Sequence, residues 1–147
     1  MLLVIPEKIL DTIHQHAIET YNNECCGFLY AFNNNQRIVT ESQPASNSQE
    51  GDQKKRYFIA PNQYLRAEQY ALEYNLTLLG IYHSHPDHPA SPSEYDRSHA
   101  LPFFSYVIIS VINGKIKETT SWILQENGFF QQEKIKIDRE KEKKMYA

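Results

Sequence analysis

The stretch GIYHSHPDHPASPSEYD (residues 80–96) ends an apolar run, LTLLGIY, and brings three histidines, two aspartates and a glutamate together within a few residues. Residues 76–85 are apolar on both faces until the histidines begin, which predicts a central strand. A strand's side-chain period of two places His83 and His85 on one face, at its end. The following SPSE predicts a capping box, with Ser91 as N-cap, Pro92 in the first helical position and Glu94 closing the box. A short helix then starts near Pro92, and Ser93 and Asp96 fall three apart in its first turn. Asp96 there could simply favour the helix dipole. It could also point back at the strand end the chain has just left. Two imidazoles and one carboxylate would then supply three protein ligands, the number that catalytic zinc takes while keeping a position open. Such a site needs a further carboxylate to move protons. Spacing alone leaves Glu19, Glu24, Glu41, Glu50 and Glu94 all available for that part.

Outward from this stretch, leucine, isoleucine, alanine and tyrosine recur at helical spacing (Leu10, Ile13, Ala17, Tyr21) after Pro6, which predicts an amphipathic helix over 6–22. Residues 25–32 (CCGFLYAF) and 37–42 (RIVTES) read as a hairpin around an NNNQ turn. Residues 43–55 read as a polar loop or flap, and RYFIA (56–60) as a short strand. Pro61 opens a second helix, with Tyr64, Ala67, Ala71 and Tyr74 along one stripe. SYVIISVI (105–112), KETTSWIL (117–124) and GFFQQEKIKI (128–137) read as strands completing an antiparallel edge. The order predicts an α+β domain with helices packed on a mixed sheet. One domain spans residues 1–137 and a charged tail follows at 138–147.

The chain has 147 residues, 41% of them hydrophobic, and a net charge of −3. That length buries a core without disulfide staples. The charge lacks the basic footprint of a nucleic-acid binder. No segment approaches the ~20 apolar residues of a membrane span, and the N-terminus lacks the features of a signal peptide. Cys25 and Cys26 are adjacent, which strains a mutual disulfide. A reducing cytoplasm is the expected location, with one cysteine buried and the other flanking it on a strand. His14 and His16 sit two apart on the first helix and do not converge, His99 is expected on a helix surface, and Trp122 in the core or at an edge.

The sequence HSHP, followed after seven residues from His85 by Ser93-x-x-Asp96, resembles the JAMM motif of the MPN-plus (Mov34/PAD-1, JAB) metalloproteases. ECCGFLY, RYFIAP and GIYHSHP also resemble text of the small prokaryotic members, and the resemblance covers residues 1 to about 125. It implies a single MPN/JAB-type domain with a curved mixed sheet between helices, a cytidine-deaminase-like α/β/α arrangement. It implies one Zn2+ per chain on His83, His85 and Asp96, with Glu24 as general acid/base and Ser93 helping to hold the oxyanion. It implies hydrolysis after the C-terminal Gly-Gly of a ubiquitin-like protein, either a sulfur carrier or a modifier on its target. Asn47 in the flap, Ser84 and Asp87 are the expected contacts for the substrate tail, with Asp87 and His88 otherwise loop residues near the cleft.

Two other readings are open to the same residues. HSHPDH also fits the H-x-H-x-D-H metal motif of metallo-β-lactamase-like hydrolases, which would give His83, His85, Asp87 and His88 to two metals. MPN domains that lack ligands serve as binding or assembly modules.

Overall fold

The computed structural model describes residues 1–34 and 36–139. Among the described residues, seven strands form one sheet in the order β1-β7-β6-β5-β4-β2-β3. The strands are β1 (Leu2–Pro6), β2 (Cys26–Phe32), β3 (Val39–Ala45), β4 (Leu76–Pro86), β5 (Ser105–Ile112), β6 (Lys115–Leu124) and β7 (Phe130–Asp138). The helices are α1 (Glu7–Thr20), α2 (Pro61–Glu73) and α3 (Glu94–His99). β1 runs parallel to β7 and β4 parallel to β5, while the remaining neighbours are antiparallel. The sheet curls until its two margins touch, where Val4 bridges Ile38 and the Val4 N–H donates to the Arg37 carbonyl at 2.9 Å.

The alternation of side chains along β2, β4 and β5 feeds two apolar cores. Leu29, Ala31, Tyr82, Val107 and Ile109 pack with Leu10, Ile13 and Ala17 of α1. Phe28, Tyr30, Ile81 and Tyr106 pack with Ala67 and Ala71 of α2. A central strand buried on both faces must be apolar, as residues 78–82 (LLGIY) are, whereas Thr77 before them is exposed. His83 and His85 continue the Ile81 face, toward α2 and α3.

Several expectations need correction. Leu2–Pro6 forms a strand that the sequence analysis did not predict, and it lies outside β7, so β7 is not the edge. Pro6 is the N-cap of α1, which begins at Glu7. β3 starts and ends later than predicted, absorbing Gln43–Ala45 from the expected flap. Residues 56–60 are not a strand; side-chain amides hold them instead, as Asn47 Oδ1 accepts from the Phe58 N–H at 3.1 Å. Cys25 and Cys26 are free and both fully enclosed, each in a different core. Tyr74 caps α2 and is exposed, unlike the rest of its stripe. Most of the predicted tail lies outside the described residues. Among the described residues, no helix is long and apolar enough to cross a membrane.

Candidate metal centre and adjoining cleft

Ladder register assembles the site. Cys26 pairs with His83 across β2 and β4, so the start of β2 lies beside the end of β4. Ser84 locks that junction: its N–H donates to the Cys25 carbonyl at 3.2 Å, and its Oγ accepts from the Cys25 N–H at 2.8 Å. Glu24 is the next residue back, and its own N–H donates to the Gln53 carbonyl at 2.7 Å. The C-terminal end of a strand beside a parallel neighbour is where open α/β sheets place ligands.

α3 supplies the carboxylate. Its N-cap is Ser93, not Ser91, and the reciprocal box closes on Asp96 rather than Glu94. Both registers satisfy the same Ser-x-x-acid pattern. In the register adopted, the Asp96 N–H donates to Ser93 Oγ at 3.0 Å and Asp96 Oδ2 accepts from the Ser93 N–H at 2.9 Å. This holds the carboxylate turned back toward β4. Asp96 Oδ2 lies 3.1 Å from His85 Nε2, Asp96 Oδ1 lies 3.3 Å from His83 Nε2, and the two Nε2 atoms are 3.1 Å apart.

The donor set fits a cation. His85 Nδ1 is 2.8 Å from the Pro89 carbonyl, which can only accept, so the Nδ1 carries hydrogen and Nε2 presents a lone pair. Three nucleophilic atoms thus converge in a buried spot with at most one proton among them, which a divalent ion would satisfy. The protonation states agree. Burial lowers the His83 pKa against the pull of Asp96. Burial alone would raise Asp96, but the adjacent His83 and the hydrogen bonds outweigh it and hold the group far below the ordinary carboxylate range. Tyr57 stacks on His83 with centroids 4.5 Å apart and fixes the ring plane. No signal in the sequence marks this residue, since an aromatic in an irregular loop carries no periodicity.

Beside the cluster lies a cavity of about 430 Å³ lined by Glu24, Lys55, His85, His88 and Ser93, among others. Glu24 is buried, and its Oε1 has no hydrogen-bond partner among the described residues. Burial, then the Asp96 and Asp52 carboxylates, push its pKa up to about 9. A second cavity, aromatic in character, adjoins Asp96 on another side and includes Tyr57, Tyr64 and Tyr95.

The remaining predicted residues are engaged in structure. Asn47 Nδ2 donates to the Glu24 and Arg56 carbonyls and its Oδ1 accepts two backbone N–H groups, so its amide organises the flap. Ser84 is wholly buried at the β2–β4 junction. Asp87 is exposed and accepts from the Tyr21 hydroxyl and the Asn113 N–H, tying α1 to β5; it stands apart from the three-ligand cluster. His14 and His16 contact Thr119 and Tyr82 separately. His99 is exposed and stacks on Tyr95.

The chain resembles known proteins along nearly its whole length. It is 29% identical over 136 residues to a desampylase from Pyrococcus furiosus, covering 92% of this chain and 91% of that protein. It is 30% identical over 92 residues to tail tip assembly protein K of Escherichia phage N15, covering 63% of this chain and only 34% of the phage protein, about a third of its length. A solution structure of a Desulfitobacterium hafniense protein superposes with a TM-score of 0.81 at 27% identity, covering 95% of this chain and 94% of that one. A JAB1/MPN domain protein from Archaeoglobus fulgidus shares the fold, with a TM-score of 0.58 at 16% identity over 90% of this chain and 98% of that one. The family described as prokaryotic homologs of the JAB domain matches residues 6–125, and this chain belongs to it.

Proposed function

We propose that the chain is a zinc-dependent peptidase or isopeptidase that hydrolyses the bond after the C-terminal Gly-Gly of a ubiquitin-like protein. The observation that carries this reading is the buried meeting of His83, His85 and Asp96 at 3.1–3.3 Å, beside a cavity lined by Glu24 and Ser93. One zinc ion held by those three ligands would act as a Lewis acid, polarising the scissile carbonyl and making water a nucleophile near neutral pH.

The other steps belong to the chain. Glu24 takes a proton from the attacking water and passes it to the leaving amine as the carbon–nitrogen bond breaks. The water's oxygen stays on the glycine carbonyl carbon, giving a free carboxylate. A raised Glu24 pKa suits a proton carrier, and a nearby cation would draw it down toward the working pH. Ser93 Oγ already accepts from the Asp96 N–H, which leaves its hydroxyl hydrogen free to donate to the developing oxyanion. Ser93 is not a nucleophile here, so no acyl-enzyme forms.

The substrate we favour is a ubiquitin-like sulfur carrier in the cytoplasm, from which the enzyme releases cysteine or a short tail. Removal of a modifier from a target protein is the second reading, and likeness to the P. furiosus desampylase over nearly the full length supports it.

Zinc-loaded wild type and Glu24→Gln, incubated with a ubiquitin-like protein extended beyond its Gly-Gly, test the proposal by mass spectrometry. Wild type shortens the substrate, and Glu24→Gln is slower by at least about 10²-fold. Equal inactivity, with one zinc per chain in both, would instead make the protein a binding module.

A further inference from the structure

Two cavities adjoin the His83, His85 and Asp96 cluster, one at Asp96 and one at His85, and they differ in chemistry. One is aromatic. The other contains Glu24, which on the reading above protonates the departing nitrogen, so the leaving group must occupy that side. The same cavity carries a cation. Residues 54–56 are Lys-Lys-Arg; the Arg56 guanidinium is engaged, 4.9 Å over the Tyr95 ring, while the Lys54 backbone N–H donates to Asp52 Oδ1 at 3.0 Å and fixes the loop. Lys55 alone of the three lines the cavity, and among the described residues its ammonium makes no hydrogen bond or ion pair. The loop that presents it is tied down one turn earlier, where the Glu24 N–H donates to the Gln53 carbonyl and Gln53 Nε2 donates to the Asn47 and Gln49 carbonyls. His88 also lines this cavity.

An unpaired ammonium on the leaving-group wall is suited to an anion on the leaving group. When the departing residue is the last of its chain, its α-carboxylate sits one carbon from the nitrogen being protonated. When the departing amine is a lysine Nε within a protein, no carboxylate stands there. We infer that Lys55 is a specificity-determining residue that pairs with the free α-carboxylate of a C-terminal residue released from Gly-Gly, so that the enzyme favours tail trimming over removal of a modifier from a lysine. This inference rests on the hydrolase reading above and narrows its substrate class.

The test uses the zinc-loaded full chain and three substrates built on one ubiquitin-like carrier ending in Gly-Gly. The first is extended by a single alanine with a free carboxylate, the second by alanine carboxamide, and the third is joined to the Nε of a lysine in a peptide. Wild type should cleave the free acid with kcat/KM about fivefold above the carboxamide, the effect of one exposed ion pair, with the difference in KM. Lys55→Gln should bring the two rates together, Lys55→Glu should reverse their order, and Lys55→Arg should restore the preference. Matched rates on all three substrates by wild type would overturn the role of Lys55 and leave the hydrolase standing. Cleavage of none of them, with zinc in place, would overturn both.

Discussion

Glu24 is the residue whose environment has the widest consequences. Its side chain ionises near 4.5 when exposed, but burial and the Asp96 and Asp52 carboxylates raise this to about 9 in the folded chain. Between those values the folded state holds a proton that the unfolded state has released, so stability falls as pH rises across that window. Glu24→Gln removes the penalty. In chelator, the variant should melt about 5 °C above wild type at pH 8, and the gap should close as pH approaches 5. A gap that widens toward acid would contradict the raised pKa. How far such a residue was legible in the sequence differs from its neighbours. His83 and His85 share a face because of strand periodicity, which is local and readable. Glu24 reaches the same place only through register between β2 and β4, and no spacing singles it out from four other glutamates. Tyr57 and Lys55 were less legible still, because irregular loops are set by side-chain amides such as that of Asn47.

At the scale of elements, β4 was legible because a doubly buried strand needs an unbroken apolar run. The helix that follows was legible in kind but not in register: SPSE and SEYD both present a serine three residues before an acid, and local spacing does not decide between them; the box that forms is Ser93 with Asp96. β1 was not legible, since five apolar residues before a proline carry no period, and a parallel pairing with β7 is a property of distant sequence. Within β4, Gly80 deserves the element's clearest prediction. A Cβ there would collide with the Ser105 carbonyl on β5, a backbone group that cannot swing aside. Gly80→Ala should therefore part the two parallel strands and cost about 3 kcal/mol in urea unfolding. It should also weaken zinc uptake, because His83 and His85 lie just beyond on the same strand. An unchanged unfolding midpoint would refute the close approach.

For the whole molecule, curling of the sheet brings Arg37 against β7. Its guanidinium pairs with Glu133 at 2.9 Å, while Ser105 and Ser121 donate to the same carboxylate at 2.6 and 2.7 Å. Glu133 is almost fully enclosed. Removing one member of a buried ion pair leaves the other uncompensated, so Glu133→Ala should destabilise by about 3 kcal/mol, measured by urea unfolding. Zinc content should persist in the variant, since Ser105 pairs with Gly80 and Ser110 with His85, five residues further along β4. Loss of the metal at native-like stability would place this network in the site instead.

The margin where Val4 meets Ile38 also bears on how the protein is made. Leu2 finds its ladder partner in Lys134, so β1 stays unzipped until β7, more distant in sequence than any other partner in the sheet, has been made. Leu3 and Ile5, both sealed in the native core, are meanwhile bare to solvent or to a chaperone. So long-range a closure is slow, and nascent chains stalled before β7 should be the ones that clump.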